Sequence, residues 1–162
     1  MPLETLSVEV VAKSDQWITL NVACQISSGE EAMRQLLESN LLNRADLQEG
    51  HKEKFATALR EVLWNAIEHG GKLDGSKRIR LDLFHTKRSL ACLIRDPGPG
   101  FALPALPHAA INNPPEDVVQ HAQVRESQGM RPGGFGILMA RNLVDELIYN
   151  EQGNEAALIL YL

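Results

Sequence analysis

The chain has 162 residues and a formal net charge of −5, and 44% of its residues are hydrophobic. This length is typical of one domain that buries its own core, so we predict a single domain over residues 1–162. The acidic balance argues against direct nucleic-acid binding, and no apolar run approaches the roughly 20 residues that span a membrane. Cys24 and Cys92 lie far apart in apolar runs without other metal ligands nearby. We therefore expect a cytoplasmic protein with two buried, reduced thiols.

The N-terminal part is predicted to form two strands followed by a helix. Residues 6–12 and 16–24 have the composition of strands, and Lys13-Ser14-Asp15 between them is typical of a turn. A first helix is expected from Ser27, where a hydroxyl cap precedes two acids, to about Leu42.

A second, longer helix is expected from about Ala45 to His69. Gly70-Gly71 follows it, as glycine commonly does just past a helix end. Residues 78–85 and 89–95 then predict two strands, and the short segment between them suits an antiparallel hairpin.

The C-terminal part begins with a long loop, residues 97–132, which holds seven of the eight prolines. A loop of this length is often a lid over an active site, although an insertion without a role is the alternative. A third helix is predicted over residues 134–144, and a final hairpin over 146–150 and 156–162. This order predicts an α+β two-layer sandwich, with three main helices on one face of an antiparallel or mixed sheet.

Four polar side chains of the second predicted helix form what we call the polar stripe: Glu61, Asn65, Glu68 and His69. At about 100° per residue they fall within one sector of roughly 100°. The opposite side is apolar, through Phe55, Leu59, Val62, Leu63, Ala66 and Ile67. The stripe is either the wall of a cleft or an ordinary solvated helix surface, and periodicity does not choose between them.

Two glycine-rich segments follow the polar stripe. Asp96 ends a predicted strand and precedes Pro-Gly98-Pro-Gly100, so its carboxylate could accept a hydrogen bond from an exocyclic amine while the glycines let backbone approach a flat ring. An ordinary turn after a strand is the alternative. Gly133-Gly134-Phe-Gly136 opens the third helix, where N–H groups favour phosphate, and a hinge is the alternative.

Together the three motifs resemble those of the GHKL (Bergerat-fold) ATPases, the histidine-kinase-like ATPase superfamily. Glu61-x-x-x-Asn65-Ala66 is similar to the N box, Asp96-x-Gly98-x-Gly100 to the G1 box and Gly134-x-Gly136 to the G2 box. Asn65-Ala-Ile-Glu-His69-Gly70 and Tyr149-Asn-Glu-x-Gly-Asn-Glu also resemble bacterial anti-sigma factors that are serine-protein kinases. The resemblance implies the Bergerat fold with a long ATP lid.

The resemblance also implies roles for individual residues. Glu61 would be the catalytic general base, and Asn65 would ligate the Mg²⁺ that bridges the ATP phosphates. Asp96 would bind the adenine amine, in a pocket shaped by Gly98 and Gly100. This set fits the chemistry, since Mg²⁺ prefers a few protein oxygens plus phosphate oxygens.

Further nucleotide contacts are implied around the lid. Backbone groups of the G2 segment would meet the phosphates, namely Gly134, Phe135 and Gly136. His69 matches a position often occupied by histidine in the family and has no assigned role. Arg125 and Arg131 could both reach the γ-phosphate, and of the two we include Arg131 in the predicted site.

The function implied is that of an anti-sigma regulatory factor that uses ATP and Mg²⁺. It would phosphorylate a serine of a STAS-type anti-sigma antagonist and sequester a sigma factor, and it would form a homodimer. The alternative is a nucleotide-gated regulator without significant kinase turnover, acting on a target other than sigma. A sensor histidine kinase is disfavoured, because the chain has no room for a dimerisation helix pair.

Overall fold

The structure is a computed structural model that describes residues 7–44, 46–100 and 136–162. Within these ranges six strands form one sheet in the order β1-β2-β3-β4-β6-β5, and all neighbouring strands are antiparallel. The strands are β1 Val8–Lys13, β2 Trp17–Ala23, β3 Arg78–His85, β4 Ser89–Arg95, β5 Glu146–Tyr149 and β6 Glu155–Tyr161. The helical segments are α1 Ile26–Glu38, α2 Glu49–Asn65, a π-helical turn Ala66–Gly70, and α3 Gly136–Leu143.

One hydrophobic core lies between the sheet and the helices. Alternate residues of the central strands enter it, as Leu20 of β2, Leu81 of β3 and Leu158 of β6 illustrate with no exposed surface. Phe55 and Leu59 of α2 meet them from the helix layer and are equally inaccessible. Each such side chain contributes about 1.5–3 kcal/mol by leaving water. The predicted α+β fold with three helices on one side of an antiparallel sheet is confirmed.

The first helix is shorter than the sequence predicted, and it begins differently. Its N-cap is Gln25, which makes no side-chain cap hydrogen bond, so the predicted hydroxyl cap at Ser27 was wrong. The helix ends at Glu38 because Ser39 turns to an extended conformation and its hydroxyl donates to Leu36 O at 2.6 Å. Asn43 Nδ2 donates to Leu37 O at 2.6 Å, so side chains satisfy carbonyls that a longer helix would have used.

The second helix begins at Glu49 instead of Ala45, and its α-helical part ends at Asn65. The helical segment continues to Gly70, close to the predicted end at His69, but residues 66–70 form a π turn instead of α-helix. By contrast, the predicted bounds of β3 and β4 are confirmed. In the described ranges, no helix combines the length and apolar character that crossing a membrane requires.

Candidate functional site

The polar stripe begins on regular α-helix. Glu61 and Asn65 lie one turn apart on α2 and are both half-buried, while Val62 and Leu63 between them are buried in the core. Residues i and i+4 of an α-helix share a face. The two side chains predicted to act on the phosphates therefore project together from the rim of the core.

The stripe then passes into the π turn, where its geometry changes. Gly71 N donates to Ala66 O at 2.8 Å, a bond that spans five residues instead of four. Beyond Asn65 the spacing of about 100° per residue no longer applies, so the α-helical angles predicted for Glu68 and His69 do not hold. Glu68 is half-buried and His69 is exposed. Single π turns of this kind are often found at functional sites.

The π turn ends against the carboxylate that follows β4. A Cβ atom added to Gly70 would overlap Cγ and Oδ1 of Asp96. A Cβ added to Gly98 would lie 2.6 Å from Gly70 O, so the two backbones also touch. The structure therefore brings Asp96 and Gly98 to the end of the helix that holds Glu61 and Asn65.

The glycines of this segment serve close packing. Gly71 has a right-handed φ of −88°, and the left-handed residues are Lys72 at 53° and Leu73 at 57°. The helical segment ends at Gly70 with Gly71 as its C-cap, as predicted, but neither glycine adopts the left-handed conformation that a glycine at a helix end commonly supplies. A Cβ on Gly71 would overlap Sγ of Cys24, which is fully buried beneath it.

Asp96 is a half-buried carboxylate inside a tight turn. Gly98 N donates to its Oδ1 at 2.8 Å, and Asp96 N donates to Asn154 O at 2.9 Å. Burial raises the pKa of Asp96, and the Gly98 N–H partly opposes that rise. A half-buried carboxylate of this kind is suited to accept a hydrogen bond from a ligand N–H group.

Both cysteines are free and buried, as predicted. Burial raises the pKa of Cys24, and the nearby Asp96 and Asp74 raise it further. Burial also raises the pKa of Cys92. Both thiols are therefore held in the protonated form, and Cys24 packs under the site as an apolar side chain.

Several predicted site residues cannot be placed in this geometry. Arg131, Gly134 and Phe135 lie outside the described residues, as does the predicted lid beyond residue 100. Gly136 is the first residue of α3, which packs against α2.

Sequence reasoning missed residues of the C-terminal hairpin, β5 and β6 with their turn. Tyr149 is partly buried, and burial raises its pKa, with Asp96 adding to the rise and Arg141 opposing it. Asn154 and Gln152 contact the turn that follows Asp96. The sequence signal for them is the tail motif around Tyr149, which indicates the family but no role for these residues.

Asn65 and Glu61 could also serve a cation. Both present oxygen atoms from half-buried positions, which suits Mg²⁺, an ion that needs few protein ligands when phosphate oxygens complete its shell. Across the part of the chain that the structure describes, no group of three or more His, Cys, Asp or Glu side chains could hold a metal without such help.

Comparison with known families identifies the chain at the level of its domain. The family model of the histidine kinase-like ATPase domain matches residues 29–160, from the first turn of α1 to the penultimate residue of β6. No curated protein matches the chain. The matched span includes α2, the π turn and Asp96, and an ATPase domain implies ATP as the ligand. The chain therefore belongs to the histidine kinase-like ATPase domain family.

Proposed function

We propose that the protein is an ATP-binding anti-sigma regulatory factor with serine-protein kinase activity. The observation that carries the proposal is the contact between Gly70 and Asp96, which joins the helix of Glu61 and Asn65 to the carboxylate after β4. One nucleotide could then meet Asp96 with its base and Asn65 with its phosphates. In this assignment the site is the cleft edge between α2 and the turn at residues 96–100.

The base end of the site is assigned to Asp96. Its half-buried carboxylate would accept the adenine amine, and the Gly98 N–H already orients one of its oxygens. Gly98 and Gly100 would shape the pocket, since a side chain at either position would collide with neighbouring backbone. A carboxylate that accepts from an amine favours adenine over a base that presents a carbonyl there.

The phosphate end is assigned to α2 and the start of α3. Asn65 would hold Mg²⁺, which supplies charge neutralisation on the phosphate oxygens. Glu61, one turn earlier, would orient the attacking hydroxyl and take its proton. Backbone N–H groups of the G2 segment would meet the phosphates, with Arg131 from the lid beside them and His69 at the rim; the backbone groups belong to Gly134, Phe135 and Gly136.

The proposed acceptor is a serine of a STAS-type anti-sigma antagonist. The test incubates γ-labelled ATP and Mg²⁺ with each STAS-domain protein of the source organism. Glu61→Gln should lower transfer by about 100-fold or more, because it removes the base. Glu53→Gln, an exposed acid on the same helix, is the matched control and should leave transfer unchanged.

Two results would contradict the kinase assignment. One is full transfer by Glu61→Gln. The other is absence of transfer to every STAS-domain protein by wild-type protein that still binds ADP. The second result would favour the alternative, a nucleotide-gated regulator without significant turnover.

The proposed regulatory target is a sigma factor, bound by a homodimer of this chain. Immobilised protein should capture a purified sigma factor of the source organism more strongly with ATP than without nucleotide. Failure with every sigma factor in both conditions would point to a non-sigma target. Light scattering after size-exclusion chromatography tests the homodimer, and a monomer mass would refute it.

A further inference from the structure

We propose that Asn154, in the C-terminal hairpin, is a positioning residue for nucleotide recognition: it sets the place of the Asp96 carboxylate. The inference rests on the proposed adenine contact of Asp96 and adds a residue from a distant part of the chain. Asn154 does not itself need to touch the nucleotide. It acts through the turn formed by residues 96–100.

The hairpin turn is ordered by one side chain. Asn150 Oδ1 accepts hydrogen bonds from the backbone N–H groups of Gly153 at 2.8 Å, Asn154 at 3.0 Å and Glu155 at 3.2 Å. Asn150 Nδ2 donates to Asn154 Oδ1 at 2.9 Å. This last bond fixes which end of the Asn154 amide is oxygen, so its Nδ2 points towards the turn after β4.

Asn154 contacts that turn at two points, Asp96 and Gly98. Its backbone oxygen accepts from Asp96 N at 2.9 Å, and its Nδ2 donates to Gly98 O at 3.4 Å. Between these two anchors, Gly98 N donates to Asp96 Oδ1 at 2.8 Å. The Gly98 N–H that orients the carboxylate therefore lies between two hydrogen bonds to Asn154, one from Asp96 N and one to Gly98 O.

The remaining residues of the turn, Pro99 and Gly100, contact the same hairpin. Gly100 has a left-handed φ of 81°, and a Cβ there would overlap Gln152 O. Gln152 Nε2 donates to Pro99 O at 3.4 Å. The π turn also closes on Asp96, at Gly70. The carboxylate thus lies where two elements meet, and the hairpin contributes side-chain hydrogen bonds from Asn154 and Gln152 to its turn.

Position matters because hydrogen bonds weaken steeply with distance and angle. Contacts to the phosphates fix the position of the nucleotide, so its amine cannot move to follow a displaced Asp96 carboxylate, and the hydrogen bond between them weakens. Loss of the Asn154 amide should therefore weaken the contact with the adenine amine more than it weakens binding of the phosphates. This difference separates positioning from a merely structural role.

The test compares ATP with purine riboside triphosphate, which lacks the exocyclic amine but has the same phosphates. Wild-type protein should bind ATP about 10- to 100-fold more tightly. Asp96→Asn should remove most of this preference. Asn154→Ala should reduce the preference by about three- to tenfold although Asp96 is intact, and the double variant should show no further reduction.

Two further variants sharpen the result. Glu155→Gln changes the next residue, whose side chain pairs with the exposed Arg95, and should keep the wild-type preference. Asn154→Asp keeps an acceptor for Asn150 and replaces the donor to Gly98 O with a carboxylate oxygen, so it should also lower the preference. Both ligands have the same charge, so the added carboxylate affects them equally.

The outcomes distinguish the positioning role of Asn154 from the adenine contact of Asp96. A wild-type ligand preference in Asn154→Ala and Asn154→Asp, whatever their melting temperatures, would overturn the positioning role and leave the adenine contact standing. An undiminished preference in Asp96→Asn would overturn the adenine contact and the inference with it. If Asn154→Ala does not fold, Asn154→Asp decides.

Discussion

The need for a glycine at position 70 comes from a residue that packs against it and not from the residues next to it in sequence. Together with Gly71, Gly70 ends the helical segment, as the sequence predicted, and it is the last residue of the π turn. The left-handed conformations fall on Lys72 and Leu73, so the helix end does not require a glycine at positive φ. What Gly70 supplies is the absence of a side chain where Asp96 approaches the helix.

Gly70→Ala is therefore expected to damage the site. The added methyl must displace Asp96, at a cost of about 1–3 kcal/mol in the free energy of unfolding. ADP affinity should fall by about tenfold as the carboxylate moves. Urea unfolding and calorimetric titration measure the two effects.

Gly50→Ala is the matched control for this change. A Cβ at Gly50, in the first turn of α2, meets no atom within 4 Å. It should raise the free energy of unfolding by up to about 1 kcal/mol and leave ADP affinity unchanged. A Gly70→Ala variant that binds ADP like wild type would contradict the close-approach explanation.

Asp96→Asn should stabilise the nucleotide-free protein at neutral pH. Because burial raises the pKa of Asp96 in the folded state, the folded state binds the proton more tightly than the unfolded state. The corresponding stability is complete below the unfolded pKa and is lost as pH rises through the folded pKa. Asparagine carries no charge at any of these pH values and so avoids this loss. The stability advantage of Asp96→Asn over wild type should therefore disappear below about pH 4.

Melting temperatures measured across this pH range check the sign. Asp74 supplies an opposite control, because hydrogen bonds from the Ser76 side chain and backbone lower its pKa. Asp74→Asn should therefore lose stability relative to wild type at neutral pH. A less stable Asp96→Asn at neutral pH would show that the hydrogen bond from Gly98 outweighs burial.

Among the secondary-structure elements, strands were easier to predict than helix ends. The bounds of β3 and β4 follow from their apolar patterns. The end of α1 depends on side chains of Ser39 and Asn43 that compete for carbonyls. The π turn after α2 has no local pattern that distinguishes it from continued α-helix, and it arises where the helix meets Asp96.

The strands β2 and β3 are also joined on the face opposite the helices. Thr19 Oγ1 donates to Asp82 Oδ1 at 2.5 Å, and Trp17 Nε1 donates to Thr19 Oγ1 at 2.7 Å. Thr19→Val should lower the free energy of unfolding by about 1–3 kcal/mol, because a buried carboxylate loses a donor. Chemical denaturation measures this loss.

The same variant should leave ADP affinity unchanged, since the pair lies across the sheet from α2. Thr57→Val is the control: its exposed hydroxyl bonds only Glu53 O, and the change should stay within about 0.5 kcal/mol. Weaker ADP binding by Thr19→Val would show that the two faces of the sheet are coupled.

For the molecule as a whole, ligand binding should stabilise the fold. ADP with Mg²⁺ at about 100 times its Kd should add about 2.7 kcal/mol, which corresponds to a rise in Tm of about 5–10 °C for a chain of this size. Removing Mg²⁺ with EDTA should abolish most of the rise if Asn65 shares the ion with the phosphates. An equal rise in EDTA would exclude the ion from the nucleotide complex.

Local patterns were sufficient for the α+β class, the six strands, the buried cysteines and the order of the three motifs. The strands, the fold class and the buried cysteines depend on which side of a strand or helix faces the core, and the pattern of neighbouring residues determines that side. The pairing of Glu61 and Asn65 on one face follows for the same reason.

The assembly of the site required the folded chain. Asn154 reaches Asp96 because β4 pairs with β6, and Gly70 reaches it because the π turn after α2 packs against the residue that follows β4. Strand order and the approach of separate segments depend on packing between residues far apart in sequence, and the local hydrophobic pattern carries no information about such packing. For that reason the sequence predicted Asp96 as a ligand-binding residue, whereas the hairpin that holds it became visible only in the fold.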